Sequence, residues 1–572
     1  MLWKKETSKN NAMYVDLYAL NGGRVNFNEV DSYVRRDESS STLNKNDAVS
    51  LQKRKQGNEY FSEGNWTDAM EMYSESLCYA ENGSKNISLA YANRSACFLK
   101  MKLYNECLVD IELAKKAGYP ADLMPNLDQR KEECLEAIKK VAPSMKLGSE
   151  LSFESDEHFP CMANVLKIDQ DAEGNLGIFA KKDIDVGQTI VVEKAFMTYL
   201  HTQYGSKCNI CLKDQTNLVA CKKCTVAMFC GECQSNSLHE YECGLRCSND
   251  SQTNSVIMQT VRSCLLAIDM FSSVEDLMNF VEQAIKSDRN QIPTTLSGVK
   301  SQYAAFLKLP MNPADQNLID VIASTAIAFT IQKILLEIPK INSTFKLKKY
   351  RRFLMHLITH HYRAMKMNSL ESGWIVDEGN GEYVALASQT GVMKCYLKHS
   401  CAPNVVVTDL HGNIVIITVR PVKKGQQIMH SIYTDLVKFP KDERHRILWN
   451  FCRMTCKCAR CEGDTAPFKL RKEMCSNPNF QYIVKQLIAP ARNDDEAKQK
   501  MMDNCKRFLR KYGLKPWCEE LGMVVQVYFE LINHRQEYNQ ENKHVEKKSF
   551  NMSLLTGLLI TLLLLAISCY YF

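Results

Sequence analysis

No apolar leader opens the sequence. "MLWKKETSKNNAMYVDLYALNGGR" is interrupted by charge within its first five residues, where a secretory signal needs an unbroken apolar stretch. The 24 cysteines are therefore expected in a reducing compartment, as metal ligands rather than a disulfide scaffold. A block of basic residues is also missing. The formal charge of +7 is spread over 572 residues, which describes a mixed solvated surface, so no direct nucleic-acid partner is expected. Charge is absent altogether from Ser549 to Phe572, where "LLTGLLITLLLLAISCYYF" is apolar almost throughout. About 20 such residues span a bilayer core. Lys543, Lys547 and Lys548 flank the run, and Tyr570, Tyr571 and Phe572 suit a membrane interface. The expectation is a transmembrane anchor over 550–572, tethering a cytoplasmic protein to an intracellular membrane. The competing reading of this run is a buried core helix.

Residues 1–45 are polar, lack sustained periodicity, and are expected to be disordered. Helical spacing begins at Ala48. Gly57, Asn58, Trp66, Ala69 and Tyr73 in one unit are echoed by Tyr91, Asn93, Ala96, Tyr104 and Ala114 in the next, close to the tetratricopeptide period. A helical array resembling tetratricopeptide repeats is expected over 46–145. Strand patterns appear in "MANVLKI", "LGIFAKK" and "TIVVEKAFMTYL", and return in "EYVALAS", "PNVVVTDL", "GNIVIITVR" and "GQQIMHSIY". One β-rich unit is thus expected in two parts, 150–207 and 371–437. A cysteine module at 208–247 and a helical segment at 250–370 are inserted between them. A second cysteine region at 438–465 and a helical segment at 466–545 follow.

The cysteine spacing is informative. Cys208-x-x-Cys211, Cys221-x-x-Cys224, Cys230-x-x-Cys233 and His239-x-x-x-Cys243 supply eight soft ligands. Zinc takes four such ligands tetrahedrally, so two closed sites are expected. The simplest arrangement is interleaved, with the first and third pairs on one ion and the second and fourth on the other. Disulfides are the less favoured alternative. The module resembles the MYND zinc finger, although that family has three residues between the third pair of cysteines where this chain has two; Cys247 is the spare ligand. The later cluster, Cys456, Cys458 and Cys461, lacks a fourth ligand, and Cys401 is the candidate. A third zinc ion is expected there.

Cys401 belongs to the stretch "YLKHSCAPN", whose residue types suit a special loop better than a plain strand. A split β unit, an inserted zinc module, a His-Ser-Cys-x-Pro-Asn loop, a following tyrosine, and then Cys-x-Cys-x-x-Cys together resemble the SET and MYND domain (SMYD) family of lysine methyltransferases. With its repeats the chain is most similar to the fourth member's subfamily. The resemblance implies an α+β multidomain fold: a tetratricopeptide array, a SET domain split by a MYND finger and a helical insert, a post-SET zinc site, and C-terminal helices. It implies S-adenosylmethionine as cofactor, a protein lysine as substrate, and a cytosolic target, with a nuclear pool left open. Carried over residue by residue, Asn175, Leu176 and Gly177 take the place of the Gly-x-Gly cofactor cradle. Asn368 matches an asparagine contacting the cofactor, Lys398 and His399 stand for Asn-His, and Tyr433 is the tyrosine at the methyl-transfer channel.

Three departures stand out: Asn175 for glycine, Met454 for an aromatic, and Lys398 for asparagine. A lysine beside a sulfonium is repelled, yet it can pair with the cofactor's carboxylate; at about 4 Å and an effective dielectric near 20 either effect is on the order of 4 kcal/mol before screening. Two functions follow from the sequence: a protein-lysine N-methyltransferase, or an anchored adaptor whose SET fold is a scaffold. Arg54, Asn58 and Asn93 sit where related repeats grip the C-terminal carboxylates of chaperones. They pack the array in the plainer reading.

Overall fold

Asn46 opens the first long helix: its side-chain oxygen accepts from the backbone N–H groups of Ala48 and Val49, at 2.9 and 3.2 Å. These are donors that a helix's first turn leaves without intrahelical partners. Five helices follow, α1 (Asp47–Ser62), α2 (Trp66–Tyr79), α3 (Lys85–Lys100), α4 (Tyr104–Lys116) and α5 (Met124–Ile138), each packed against the next. Close approach of α1 and α2 requires Gly57, where an added Cβ would lie 2.6 Å from the Tyr73 ring. The computed structural model describes residues 34–36 and 44–540, apart from 140–149, 202–206, 214–216, 244, 248–250, 289–290, 292, 312–317, 377–382, 411, 453, 464 and 489–494. Most of the stretch expected to be disordered, 1–45, lies outside the described residues. Within it, Val34–Arg36 forms a strand paired antiparallel with Leu245–Cys247.

The β unit is assembled across a long separation in sequence. The hairpin β1 (Leu166–Gln170) and β2 (Leu176–Ala180) leads to β3 (Thr189–Lys194) and β4 (Met197–Leu200). After the inserted segments come β5 (Leu370–Val376), β6 (Tyr383–Thr390), β7 (Lys398–His399), β8 (Val405–Leu410), β9 (Asn413–Thr418) and β10 (Met429–His430). Strand β3 pairs with β9, placing Val192 opposite Val415, and β4 pairs with β6, placing Leu200 opposite Ala387. Strands on either side of the insertions therefore share sheets. Apolar residues such as Ile190, Val191, Val415 and Ile416 are buried on these strands, and that burial fixes the register because a one-residue slip would expose them.

The first insertion docks on the helical array. Arg94 and Asp110, both with fully buried side chains, form a two-bond pair at 2.7 and 2.9 Å. Arg94 also donates to the Leu218 carbonyl at 3.0 Å, and Asn217 donates to Asp110 at 2.8 Å. Array residues such as Phe98 and Ile111 share one apolar core with Leu218 and Met228 of the cysteine module. The second insertion is helical, with α6 (Ser251–Asp269), α7 (Val274–Lys286), α8 (Val299–Leu307), α9 (Leu318–Glu337) and α10 (Lys348–Asn368). Beyond the sheets, α11 (Lys441–Cys452) precedes α12 (Phe468–Cys475), α13 (Pro478–Ile488), α14 (Asp495–Tyr512) and α15 (Glu519–Gln540). Phe508, Tyr512 and Tyr528 bury the outer side of β8 and β9 through Val406, Val415 and Ile417.

One expectation is corrected. Among the described residues no helix is long and apolar enough to cross a membrane, so none of the described helices is the expected transmembrane helix. The segment 550–572 for which it was expected lies outside the described residues.

Candidate active site and metal clusters

Three clusters of thiol and imidazole groups have the geometry of metal sites. Cys208, Cys211, Cys230 and Cys233 form the first; Cys221, Cys224, His239 and Cys243 the second; Cys401, Cys456, Cys458 and Cys461 the third. In each, the four ligand atoms lie within 4.8 Å of one another. The structure thus brings together the interleaved sets expected from spacing, and Cys233, not Cys247, completes the first. A two-stranded ribbon, Val219 opposite Phe229 and Ala220 opposite Met228, holds the pairs apart and in order.

The donor sets suit zinc, which favours four thiolate or imidazole ligands in a closed site. In the second cluster the His239 Nε2 atom faces Cys221 and Cys224 at 3.3 and 3.6 Å, and its Nδ1 lies 3.8 Å from the Glu242 carboxylate. Glu242 is itself held by Arg262 at 2.8 and 2.7 Å. A carboxylate on the far ring nitrogen is the arrangement that orients a metal-binding imidazole. In the third cluster, Arg444 donates to the Cys461 sulfur at 3.3 Å and Arg460 donates to the Cys401 carbonyl at 2.9 Å. Those two cations complement the negative charge that four thiolates carry.

Cys401 fastens one side of the 398–404 loop to that cluster. On the other side Asn404 brackets a neighbouring strand, donating to the Gln427 carbonyl at 2.9 Å and accepting from Met429 N–H at 2.8 Å. Ser400 N–H donates to the His430 carbonyl at 2.8 Å. The short strand β7 pairs parallel with β10, setting Lys398 beside Met429 and His399 beside His430. Ile432 N–H then donates to His399 Nδ1 at 3.2 Å, which brings Tyr433 next to the loop. Burial pushes His399 down to about 4, so it is neutral at physiological pH. Tyr433 is 39% exposed, its hydroxyl 3.9 Å from the Cys452 thiol of α11.

The Lys398 ammonium is engaged by two carboxylates of the chain itself. Its Nζ pairs with Asp171 at 3.2 Å and Glu173 at 3.1 Å. Both acids belong to the β1–β2 turn, where Asp171 also accepts from Glu173 and Asn175 N–H groups at 2.9 Å. The lysine therefore clasps the loop to the hairpin that carries Asn175, Leu176 and Gly177. At 44% side-chain exposure, the clasp is worth about 1 kcal/mol or less. The close approach at Gly177 is made by the protein's own Gln427, whose Nε2 would lie 2.3 Å from an added Cβ. That Nε2 is buried without a hydrogen-bond partner, a donor left for an acceptor from outside the protein. Asn368 is turned inward. Its Nδ2 donates to the Pro310 and Ala364 carbonyls at 2.9 and 2.8 Å, and its Oδ1 accepts from the Cys395 thiol at 3.4 Å.

One buried carboxylate beside the 391–396 turn escaped sequence reasoning. Glu193, 4% exposed, accepts the N–H groups of Val392 and Met393 at 2.6 and 3.1 Å. Its signal was available: it is the charged residue inside the apolar strand "TIVVEK". In the array, Asn58 Oδ1 accepts from both Tyr73 Oη and Asn93 Nδ2 at 2.9 Å.

Comparison with known proteins matches residues 174–432 to the SET domain. The protein-lysine N-methyltransferase SMYD4 of Mus musculus is 23% identical over 556 residues, covering 76% of this chain and 70% of the relative. The Homo sapiens SMYD4 is 22% identical, covering 82% and 73%. The N-lysine methyltransferase SMYD2-A of Xenopus laevis is 24% identical over 325 residues, covering 55% of this chain and 65% of the relative. Residues 174–432 thus carry a match to the SET domain, and the similarity to the SMYD lysine methyltransferases, SMYD4 and SMYD2 among them, extends over most of the chain.

Proposed function

We propose that the chain is an S-adenosylmethionine-dependent protein-lysine N-methyltransferase, with Tyr433 at the reacting centre. The observation that carries this reading is the 398–404 loop. It is tied by Cys401 to one metal cluster, by Asn404 to the strand leading to Tyr433, and by Lys398 to the 171–177 hairpin. The domains are read as a tetratricopeptide-like array at 46–145, a SET domain in two parts at 150–207 and 371–437, a MYND finger at 208–247, a post-SET zinc region at 438–465 and C-terminal helices at 466–545. Zinc in the three clusters would be structural, since each presents four protein ligands.

The cofactor, when bound, supplies an electrophilic methyl group on a good leaving group. The chain's task is then to hold a neutral lysine amine in line with it. The backbone of Asn175–Gly177 and the His399 edge would hold the cofactor, with the orphaned Gln427 Nε2 as a donor to it. The Tyr433 hydroxyl would orient the incoming amine. Neutral His399 adds no charge beside a sulfonium, and the Lys398 charge is already matched by two carboxylates. Asn368 supports the pocket through Cys395. The competing adaptor reading draws on the shared core of array and cysteine module, which makes one continuous binding body. Chaperone-tail capture by Arg54, Asn58 and Asn93 has less support, because the two amides are spent on each other and on Tyr73.

The test is transfer of a labelled methyl group from S-adenosylmethionine to lysine in a protein extract by the purified zinc-loaded chain. Labelled methyl-lysine is expected, with Tyr433→Phe lowering the rate roughly a hundredfold, within the range a positioned hydrogen-bonding group contributes. Cofactor binding without any transfer would leave the adaptor reading.

A further inference from the structure

Two carbonyl groups of the 398–404 loop, those of Cys401 and Ala402, are held by arginines from outside the loop. Arg460 donates through Nη1 to the Cys401 carbonyl at 2.9 Å and the Leu436 carbonyl at 3.2 Å, and through Nη2 to the Phe439 carbonyl at 3.1 Å. Arg420, just past β9, donates through Nη1 to the Ala402 carbonyl at 3.0 Å. Its Nε and Nη2 atoms donate to the Gly513 and Lys515 carbonyls at 2.5 and 3.4 Å. Both guanidinium groups lie over one ring, that of Trp517, with Arg420 at 5.5 Å and Arg460 at 5.1 Å from its centroid. Trp517 stands between α14 and α15, in the C-terminal helical segment.

The ring is placed to take those contacts with its π face. It is 4% exposed, and its indole N–H is buried without a hydrogen-bond partner. A buried indole whose polar edge is unused is held through its faces, and indole is the aromatic ring that attracts a cation most strongly. Its surroundings leave no slack. A Cβ on Gly522 would lie 3.1 Å from Trp517 Cζ2, and one on Gly513 would lie 2.5 Å from Pro421 Cδ. The Trp517 carbonyl accepts from Ala466 N–H at 3.0 Å. The loop itself is less firmly backed. A cavity of about 60 Å³ is lined by Pro403, Val405 and Ser431 together with Val525 and Phe529 of α15. Over free space a segment is placed by its hydrogen bonds rather than by packing.

We propose that Trp517 is a positioning residue for the cofactor pocket. By stacking on Arg420 and Arg460 it sets the planes of the two guanidinium groups that hold the Cys401 and Ala402 carbonyls, and so places the loop that carries Lys398 and His399. The consequence for the cofactor rests on the proposed function; the clasp on the loop does not. A guanidinium is planar, and stacking fixes the direction of all its donors at once. Without the ring each arginine swings more freely, and the loop relaxes toward the cavity. The C-terminal helical segment is then part of the machinery of the pocket, although its one contribution touches no reacting atom.

The full zinc-loaded chain would be compared with three variants, each checked for unaltered metal content: Trp517→Leu, which removes the π face, Trp517→Tyr, which keeps one, and Arg420→Met. Hydrogen exchange reads the loop without any cofactor, through the Ser400 and Asn404 N–H groups that donate to the His430 and Met429 carbonyls. Exchange there is expected to be about tenfold faster in Trp517→Leu and Arg420→Met, and close to the parent in Trp517→Tyr. Calorimetry should show S-adenosylmethionine affinity falling several-fold in the same two variants and recovering in Trp517→Tyr. Should Trp517→Leu fail to fold, Arg420→Met decides, since it leaves the ring in place and removes one of its cations. Equal loop exchange in all the folded proteins would overturn the clasp. Faster exchange with unaltered cofactor affinity would overturn the role in the pocket and leave the proposed function standing. A parent that binds no cofactor, while its loop exchange still follows the ring, would overturn the proposed function and support the clasp alone.

Discussion

The cysteine module and the candidate pocket around the 398–404 loop are put together differently. The cysteine module gathers its eight ligands from a short stretch of chain, where local turns and one small ribbon fix every distance. The pocket draws on residues 227 and 199 positions apart, Asp171 with Lys398 and Glu193 with Val392. Metal coordination demands particular residue types at particular spacings, so it leaves a strong imprint on sequence. A pocket lined by backbone and by long-range pairs tolerates exchange of one device for another, such as an ion pair for an amide. The difference is consistent with a loop and hairpin that differ from the SMYD pattern at three expected positions while all twelve ligand positions come together.

Removing metal should give the largest effect. Structural zinc sites of this kind contribute about 10–16 kcal/mol that is also folding energy. Elemental analysis is expected to find three zinc ions per chain, and chelation should unfold the cysteine module, followed by circular dichroism and protease sensitivity. Intact folding after complete chelation would show that the shared core with the array suffices alone.

Next comes the buried join between that module and the array. Arg94→Ala leaves Asp110 as an uncompensated buried carboxylate, and should destabilise the array by about 3–5 kcal/mol. The double change Arg94→Met, Asp110→Leu should recover much of that loss, which thermal unfolding would reveal. Equal losses in the single and double variants would mean that the pair's packing, not its charge, matters.

Glu193 supplies a test inside the pocket. Burial raises its carboxyl to about 7 from an ordinary value of 4.5. Its neutral form is thus favoured in the folded state, and this stabilising contribution is complete below about pH 4.5. It is lost as pH rises to about 7, by roughly 3 kcal/mol in all. Glu193→Gln should remove that slope from the stability profile between those pH values while keeping an acceptor for the Val392 and Met393 N–H groups.

The smallest effect belongs to Lys398. Because its ammonium is matched by Asp171 and Glu173, Lys398→Asn should change stability by about 1 kcal/mol or less and leave cofactor affinity within about threefold. A large gain in affinity would instead mean that the lysine turns toward the sulfonium in the bound state.

How much of this was legible in the sequence follows the same division. The helical array, the two-part β unit and the ligand positions could be read because periodicity and spacing are local properties. The fate of Lys398 could not, since its acid partners lie 227 and 225 residues away in the chain. Asn368 was assigned to the cofactor by family likeness, and only the fold shows its amide committed to Pro310 and Ala364. Glu193 was visible as a charge in an apolar strand, but its partners were not.

The most direct measurement is S-adenosylmethionine calorimetry on the zinc-loaded full chain beside two variants, Cys458→Ser in the third cluster and Cys230→Ser in the first. Saturable binding of one cofactor per chain is expected. It should be lost in Cys458→Ser, which frees the 398–404 loop, and retained in Cys230→Ser, which disturbs only the cysteine module. No binding to the zinc-loaded parent at millimolar cofactor, or equal binding by all three proteins, would contradict the account of the loop as the organiser of the pocket.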